Sequence, residues 1–166
     1  QGGYLDITKA TGNLGDVAVS AGGTLYVTGT FTNNVPQVVD GSTLSFSGDW
    51  ENAVPITANG SVLNLSGTWS NNSTISATDS TVNLLSHADA LGTFSSTNTR
   101  VNLRSGYSTA ELESIAHDTT RLYVEAGGTL ENTGDEFTMS ASGIQLYLNG
   151  GVIEGGTIAS SDTTQF

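Results

Sequence analysis

Residues 22–34 read Gly-Gly-Thr-Leu-Tyr-Val-Thr-Gly-Thr-Phe-Thr-Asn-Asn, and residues 60–72 read Gly-Ser-Val-Leu-Asn-Leu-Ser-Gly-Thr-Trp-Ser-Asn-Asn. The second run echoes the first, and the echo is part of a longer period. Leu25, Leu44, Leu63, Val82 and Val101 stand nineteen residues apart, and each opens an apolar-polar-apolar triplet. Two are Leu25-Tyr26-Val27 and Leu63-Asn64-Leu65. The series continues more loosely, with Leu122-Tyr123-Val124 after twenty-one residues and Ile144-Gln145-Leu146 after a further twenty-two. Period-two alternation bounded by Gly, Ser, Asn and Thr predicts half-buried strands whose first and third residues face inward.

Other positions recur in the same register. Two residues before each triplet come Gly23, Ser42, Ser61, Ser80, Thr99 and Thr120, preceded by Gly22, Gly41, Gly60, Asp79, Asn98 and Thr119, all turn formers. Gly29, Gly48 and Gly67 mark a corner beyond the triplet, followed by Phe31, Trp50 and Trp69 and then Asn33, Asn52 and Asn71. Ile56, Ile75 and Phe94 fill a third apolar position, so each period offers about three strand segments.

A nineteen-residue unit cannot cover its own apolar face, whereas stacked copies place like positions above one another and bury a continuous column. The period therefore predicts a parallel β-helix, all-β, with roughly seven coils spaced by about 4.8 Å. The three asparagines are expected to bond amide to amide along the stack. One short helical insertion is expected near 108–117: Ser108-Thr109-Ala110-Glu111 fits a capping box, with Leu112, Ile115 and Ala116 on one face. It falls in the coil that runs two residues over period.

The run at 22–34 and its echo at 60–72 resemble coils of bacterial filamentous-haemagglutinin-like and autotransporter passenger proteins, and the likeness of repeat character extends over residues 17–158. The resemblance implies a right-handed β-helix of the pectin-lyase-like type carried on a cell surface. It further implies a secreted or surface-exposed bacterial protein, extracellular in location, acting as a stalk or adhesin. Residues 1–166 then form a single β-solenoid domain, a segment of a larger repeat protein. Its partners are expected among cell-surface glycans, host proteins, neighbouring domains of the same chain and, end to end, further copies of itself.

Composition narrows the classes. Sixteen acidic residues against four basic ones give a net charge of −12, which repels nucleic acid and anionic lipid. No apolar run approaches a membrane span, and the start shows no signal-peptide pattern. There is no cysteine, and His87 and His117 are too few for a histidine-built metal site. Phosphate-loop, dinucleotide and Gly-x-Ser-x-Gly fingerprints are missing, as are the aspartates of calcium-binding glycine-rich nonapeptides.

The β-helix is also a scaffold of polysaccharide lyases and hydrolases, in which carboxylates on a lateral face act as general acid and base. Asp49 and Glu51 flank the inward Trp50 on the outward side, with Asp135 and Glu136 a second pair. Their matched positions in adjacent coils are Thr30 and Thr68, and Thr32 and Ser70, so no carboxylate is stacked directly beside them. The bases are Lys9, Arg100, Arg104 and Arg121; Arg100 and Arg121 are expected one above the other, as surface charges beside the helix. Trp50 and Trp69 are expected in the core rather than as a sugar platform. Threonine columns suited to an ice-binding face are broken by Ser47, Asp49 and Ser66, and the Asn-x-Ser triplets at 59, 64 and 71 arise readily in so Asn- and Ser-rich a chain. The resulting expectation is a non-catalytic segment with no catalytic, cofactor-binding or metal residues and no cofactor.

Overall fold

Strands in this chain form where polar and apolar residues alternate, and they turn where glycine or a short polar residue takes positive φ. The computed structural model describes residues 2–116, 119–139 and 143–160. They wind into a parallel β-solenoid whose coils each carry a leading, a middle and a trailing segment. The leading segments are Tyr4–Asn13, Thr24–Asn33, Thr43–Asn52, Val62–Leu65, Thr81–Leu84, Arg100–Leu103, Arg121–Glu125 and Gln145–Asn149, stacked in that order. The first three run on around the corner and supply their own middle segments.

The register confirms the nineteen-residue column and corrects both of its ends. Leu25 pairs with Leu44, then Leu63, Val82, Val101 and Leu122 follow in line, and all six are buried. The partner of Leu122 is Leu146, not Ile144, so the last triplet is Leu146-Tyr147-Leu148, twenty-four residues on. Parity hid the difference: Ile144 lies two residues earlier and is buried, while Leu146 is half-buried. At the other end Leu5 pairs with Leu25, so stacking begins at Tyr4 rather than near residue 17, and there are eight coils instead of seven. A bulge between Ile7 and Ala10 shifts this first coil out of the sequence period.

Inside the rod the columns are chemically sorted. Phe31, Trp50 and Trp69 stack, the indoles 5.2 Å apart with planes nearly parallel at 7°, and they are buried as core residues. Each indole nitrogen donates to a backbone carbonyl on the following coil, Trp50 to Ser66 and Trp69 to Ser86. Asn33 donates to Asn52 and Asn52 to Asn71, both at 2.7 Å and fully buried. Gln37 closes one end of this ladder by donating to Asn33 Oδ1, and the Leu91 carbonyl closes the other by accepting from Asn71. A hydroxyl column runs through the turns: Ser42 N–H donates to Ser61 Oγ, and Ser61 N–H to Ser80 Oγ. The amides and hydroxyls of these columns are thus satisfied largely by the coil above or below, which makes each coil a template for its neighbour.

The corner glycines are forced by close approach. Gly48 has φ +99°, and a Cβ there would sit 2.3 Å from the Gly29 carbonyl oxygen. The turn before each leading strand is more permissive, since Asp79 and Asn98 take φ near +50° where other coils have glycine.

The helix is α1, Thr109–Ile115, capped by Ser108 and Glu111 as the sequence predicts; His117 lies outside the described residues. It occupies the trailing position of its coil, with Thr109, Leu112 and Ile115 buried. A helix advances about 1.5 Å per residue against about 3.3 Å for a strand, so the coil that contains it needs extra residues. The leading sheet runs unbroken past this coil. The middle and trailing sheets do not: Ala88–Ala90 and Gly106–Ser108 belong to different sheets, as do Thr93–Thr97 and Glu136–Met139. No helix among the described residues is long and apolar enough to cross a membrane.

Candidate functional site: an acidic lateral groove

In the middle segments, inward Phe31, Trp50 and Trp69 alternate with outward neighbours that line a groove of about 370 Å³. Its rows are Thr30, Asp49 and Thr68, then Thr32, Glu51 and Ser70, paired as the sequence spacing predicts. Asp49 is exposed, and Glu51 is half-buried with its Oε1 accepting from Asn72 Nδ2 at 2.6 Å.

The reading of adjacent coils missed a third acid. Asp89 lines the same groove one coil beyond Ser70. Counting nineteen residues on from Ser70 lands on Asp89, so the signal was in the sequence. The glycine corner that marked the earlier coils is absent there, however, since Ser86 replaces it. A register shift between Ala88 and Ala90 places Asp89 out of the ladder and lets its carboxylate reach the groove.

No basic residue lines the groove. Arg100 and Arg121 are in register on the outer side of the leading sheet, around the corner from the acids. Arg100 is more than a solvated charge: its Nη2 lies 2.7 Å from Glu125 Oε1, its Nε donates to Asn102 Oδ1, and its Cζ sits 3.7 Å from the Tyr123 ring centroid. Asp135 and Glu136 are exposed at the start of the trailing strand Glu136–Met139, far along the chain from the groove. Among the described residues no three His, Asp or Glu side chains are grouped to hold a metal ion. The groove therefore brings together carboxylates and hydroxyls without a base beside them.

Near α1, His87 Nε2 lies 2.9 Å from Glu111 Oε1 and its ring packs 5.1 Å from that of Tyr107. Tyr107 is fully buried in the column of Trp69, and its hydroxyl donates to the Ser86 carbonyl at 2.8 Å. Burial, with the Glu111 carboxylate nearby, raises its pKa well above that of a free tyrosine. These contacts seat the helix on the rod. Comparison with family models, with curated proteins and with solved structures gives no match to this chain, so the parallel β-solenoid is the level at which it is classified.

Proposed function

We propose that this chain is a non-catalytic structural or adhesive segment of a secreted or surface-exposed bacterial protein, working as a stalk or passenger. The observation that carries the reading is that its recurring side chains serve to dock one coil on the next. Apolar columns, the Trp pair, the Asn ladder and the Ser column are all internal and in register. A solenoid of this kind converts chain length into reach, which is what a spacer or a presenting surface requires. The outer surface is largely hydroxyl and amide with a strong negative charge, which suits an extracellular setting. A glycan array separates adhesion from bare spacing.

The alternative is a polysaccharide lyase or hydrolase, and the convergence of Asp49, Glu51 and Asp89 on one groove favours it. Incubation with neutral and acidic polysaccharides decides between the two. The non-catalytic reading predicts no product; release abolished by Asp49→Asn, Glu51→Gln or Asp89→Asn with the fold intact overturns it.

A further inference from the structure

The two outermost coils differ from the six between them. The leading strand Tyr4–Asn13 is paired on one side only, by Thr24–Asn33, and Gln145–Asn149 on one side only, by Arg121–Glu125. Of the large apolar side chains exposed among the described residues, Tyr4, Leu5, Tyr147, Leu148 and Val152 lie on these two coils, and only Tyr26, Val38 and Leu85 on the others. The half-buried apolar side chains that pack against the core are Ile7, Leu14 and Val17 on the first coil and Leu146, Ile153 and Ile158 on the last. The apolar columns therefore run out into solvent at both ends of the rod.

These two ends match each other position by position. Advancing one copy along the rod axis by the length of the stack sets its Tyr4–Ile7 beside Gln145–Leu148 of the copy before it, in the parallel sense. Leu5 and Leu146 both belong to the column of Leu25, and Ile7 and Leu148 to that of Val27, so each column continues across the joint. In the middle segment Gly12, in the column of Phe31 with open space around it, faces Ile153, which continues the column of Trp69 and Tyr107 through Leu130. Asp6 faces Tyr147, and Asn13 faces Glu154, so no carboxylate meets a carboxylate at these positions. The bulge between Ile7 and Ala10 falls beyond the four residues of the leading strand that meet the neighbour.

We propose that the last coil of one copy docks on the first coil of a second copy, so that copies join head to tail. The backbone N–H and C=O groups along two free strand edges gain partners, and the half-buried apolar columns close. Head-to-tail order keeps the strands at the joint parallel, as they are throughout the rod, whereas first coil against first coil makes them antiparallel. The contact uses two different surfaces, so every joined copy leaves one end free and growth does not close on itself. A net charge of −12 on each copy opposes joining while the contact itself is apolar, so salt favours it by screening. The inference goes beyond the proposed function and does not rest on it: reach then comes from the number of copies as well as from chain length.

The test is sedimentation velocity of the intact chain over a range of concentrations, at low and high salt. A series of species that lengthens with protein concentration and with salt is expected. Leu5→Glu and Leu148→Glu alter side chains that are 49% and 56% exposed, so each variant should keep the circular dichroism spectrum of the unmodified chain. Each places an unpaired carboxylate in the joint and should weaken association about a hundredfold or more. The decisive sample is the two variants mixed. Leu148→Glu supplies an intact first coil and Leu5→Glu an intact last coil, so the mixture should form a dimer and stop there. A chain that stays monomeric at every concentration, association that neither variant weakens, or a mixture that gives no dimer overturns the proposal. Species longer than a dimer in the mixture overturn it too, and none of these results bears on the stalk or adhesive reading.

Discussion

Replacing Asn52 by alanine tests whether the buried amide ladder holds the coils in register. Asn52 is fully buried, accepts from Asn33 Nδ2 and donates to Asn71 Oδ1, each at 2.7 Å. The two sides of the break are unequal. Asn71 Oδ1 keeps the Ser73 N–H as a donor at 3.2 Å, so on that side only one bond is lost, about 1 kcal/mol. Asn33 Nδ2 loses its acceptor in a fully buried position, and a stranded buried donor costs about 1–3 kcal/mol. The variant should therefore be destabilised by about 2–4 kcal/mol, read by urea denaturation with far-UV circular dichroism and tryptophan fluorescence in parallel. The decisive step is the double variant Asn33→Ala with Asn52→Ala. Removing Asn33 removes the stranded donor, so the pair should cost less than the sum of the singles by about 1 kcal/mol or more. Simple additivity, or a cost for Asn52→Ala below about 0.5 kcal/mol, would show that apolar packing sets the register and that the ladder follows it.

Other outcomes follow from the same geometry. Leu63→Asp puts an unpaired charge in the middle of the main column and is expected to abolish folding, seen as loss of the cooperative transition. Gly48→Ala should cost several kcal/mol because its Cβ would press on the Gly29 backbone, whereas Gly41→Asn, at φ +55° with open space around it, should be close to neutral in the same denaturation assay. Because the Tyr107 pKa is raised on folding, its contribution to stability is constant below about pH 10, where both states hold the proton. Above that pH the unfolded chain releases the proton first, so stability falls; Tyr107→Phe should flatten this alkaline slope while losing about 1 kcal/mol at neutral pH for the bond to Ser86.

The repeat made the middle of the molecule readable because every coil there solves the same packing problem with the same residues. Leu25 to Val101, the Trp pair, the Asn ladder and the helix cap were all fixed by spacing and chemistry. The ends were harder for a physical reason. A bulge in the first coil and a twenty-four-residue penultimate period break the count, and Ile144 and Leu146 share a face, so burial alone cannot choose between them. The groove was half legible: Asp49 and Glu51 stand out beside Trp50, while Asp89, nineteen residues beyond Ser70, is masked because Ser86 replaces the corner glycine that marks the earlier coils. The Arg100–Tyr123 contact crosses from one strand position to the next coil's neighbouring one, a diagonal that column-by-column alignment does not look for.

The division of two sheets at the coil that carries α1 bears on how the rod transmits force. Pulled along its axis, a solenoid with three intact sheets shares the load among three lines of backbone hydrogen bonds. Here, among the described residues, only the pairing of Thr81–Leu84 with Arg100–Leu103 continues as sheet from the fifth coil to the sixth. Side-chain ties such as Tyr107 to the Ser86 carbonyl and Ser96 to the Ile115 carbonyl bridge the remainder. The rod consequently has a waist at which tension concentrates on one edge and bending is easiest toward that edge. Its first five coils and its last three can then yield as separate mechanical blocks.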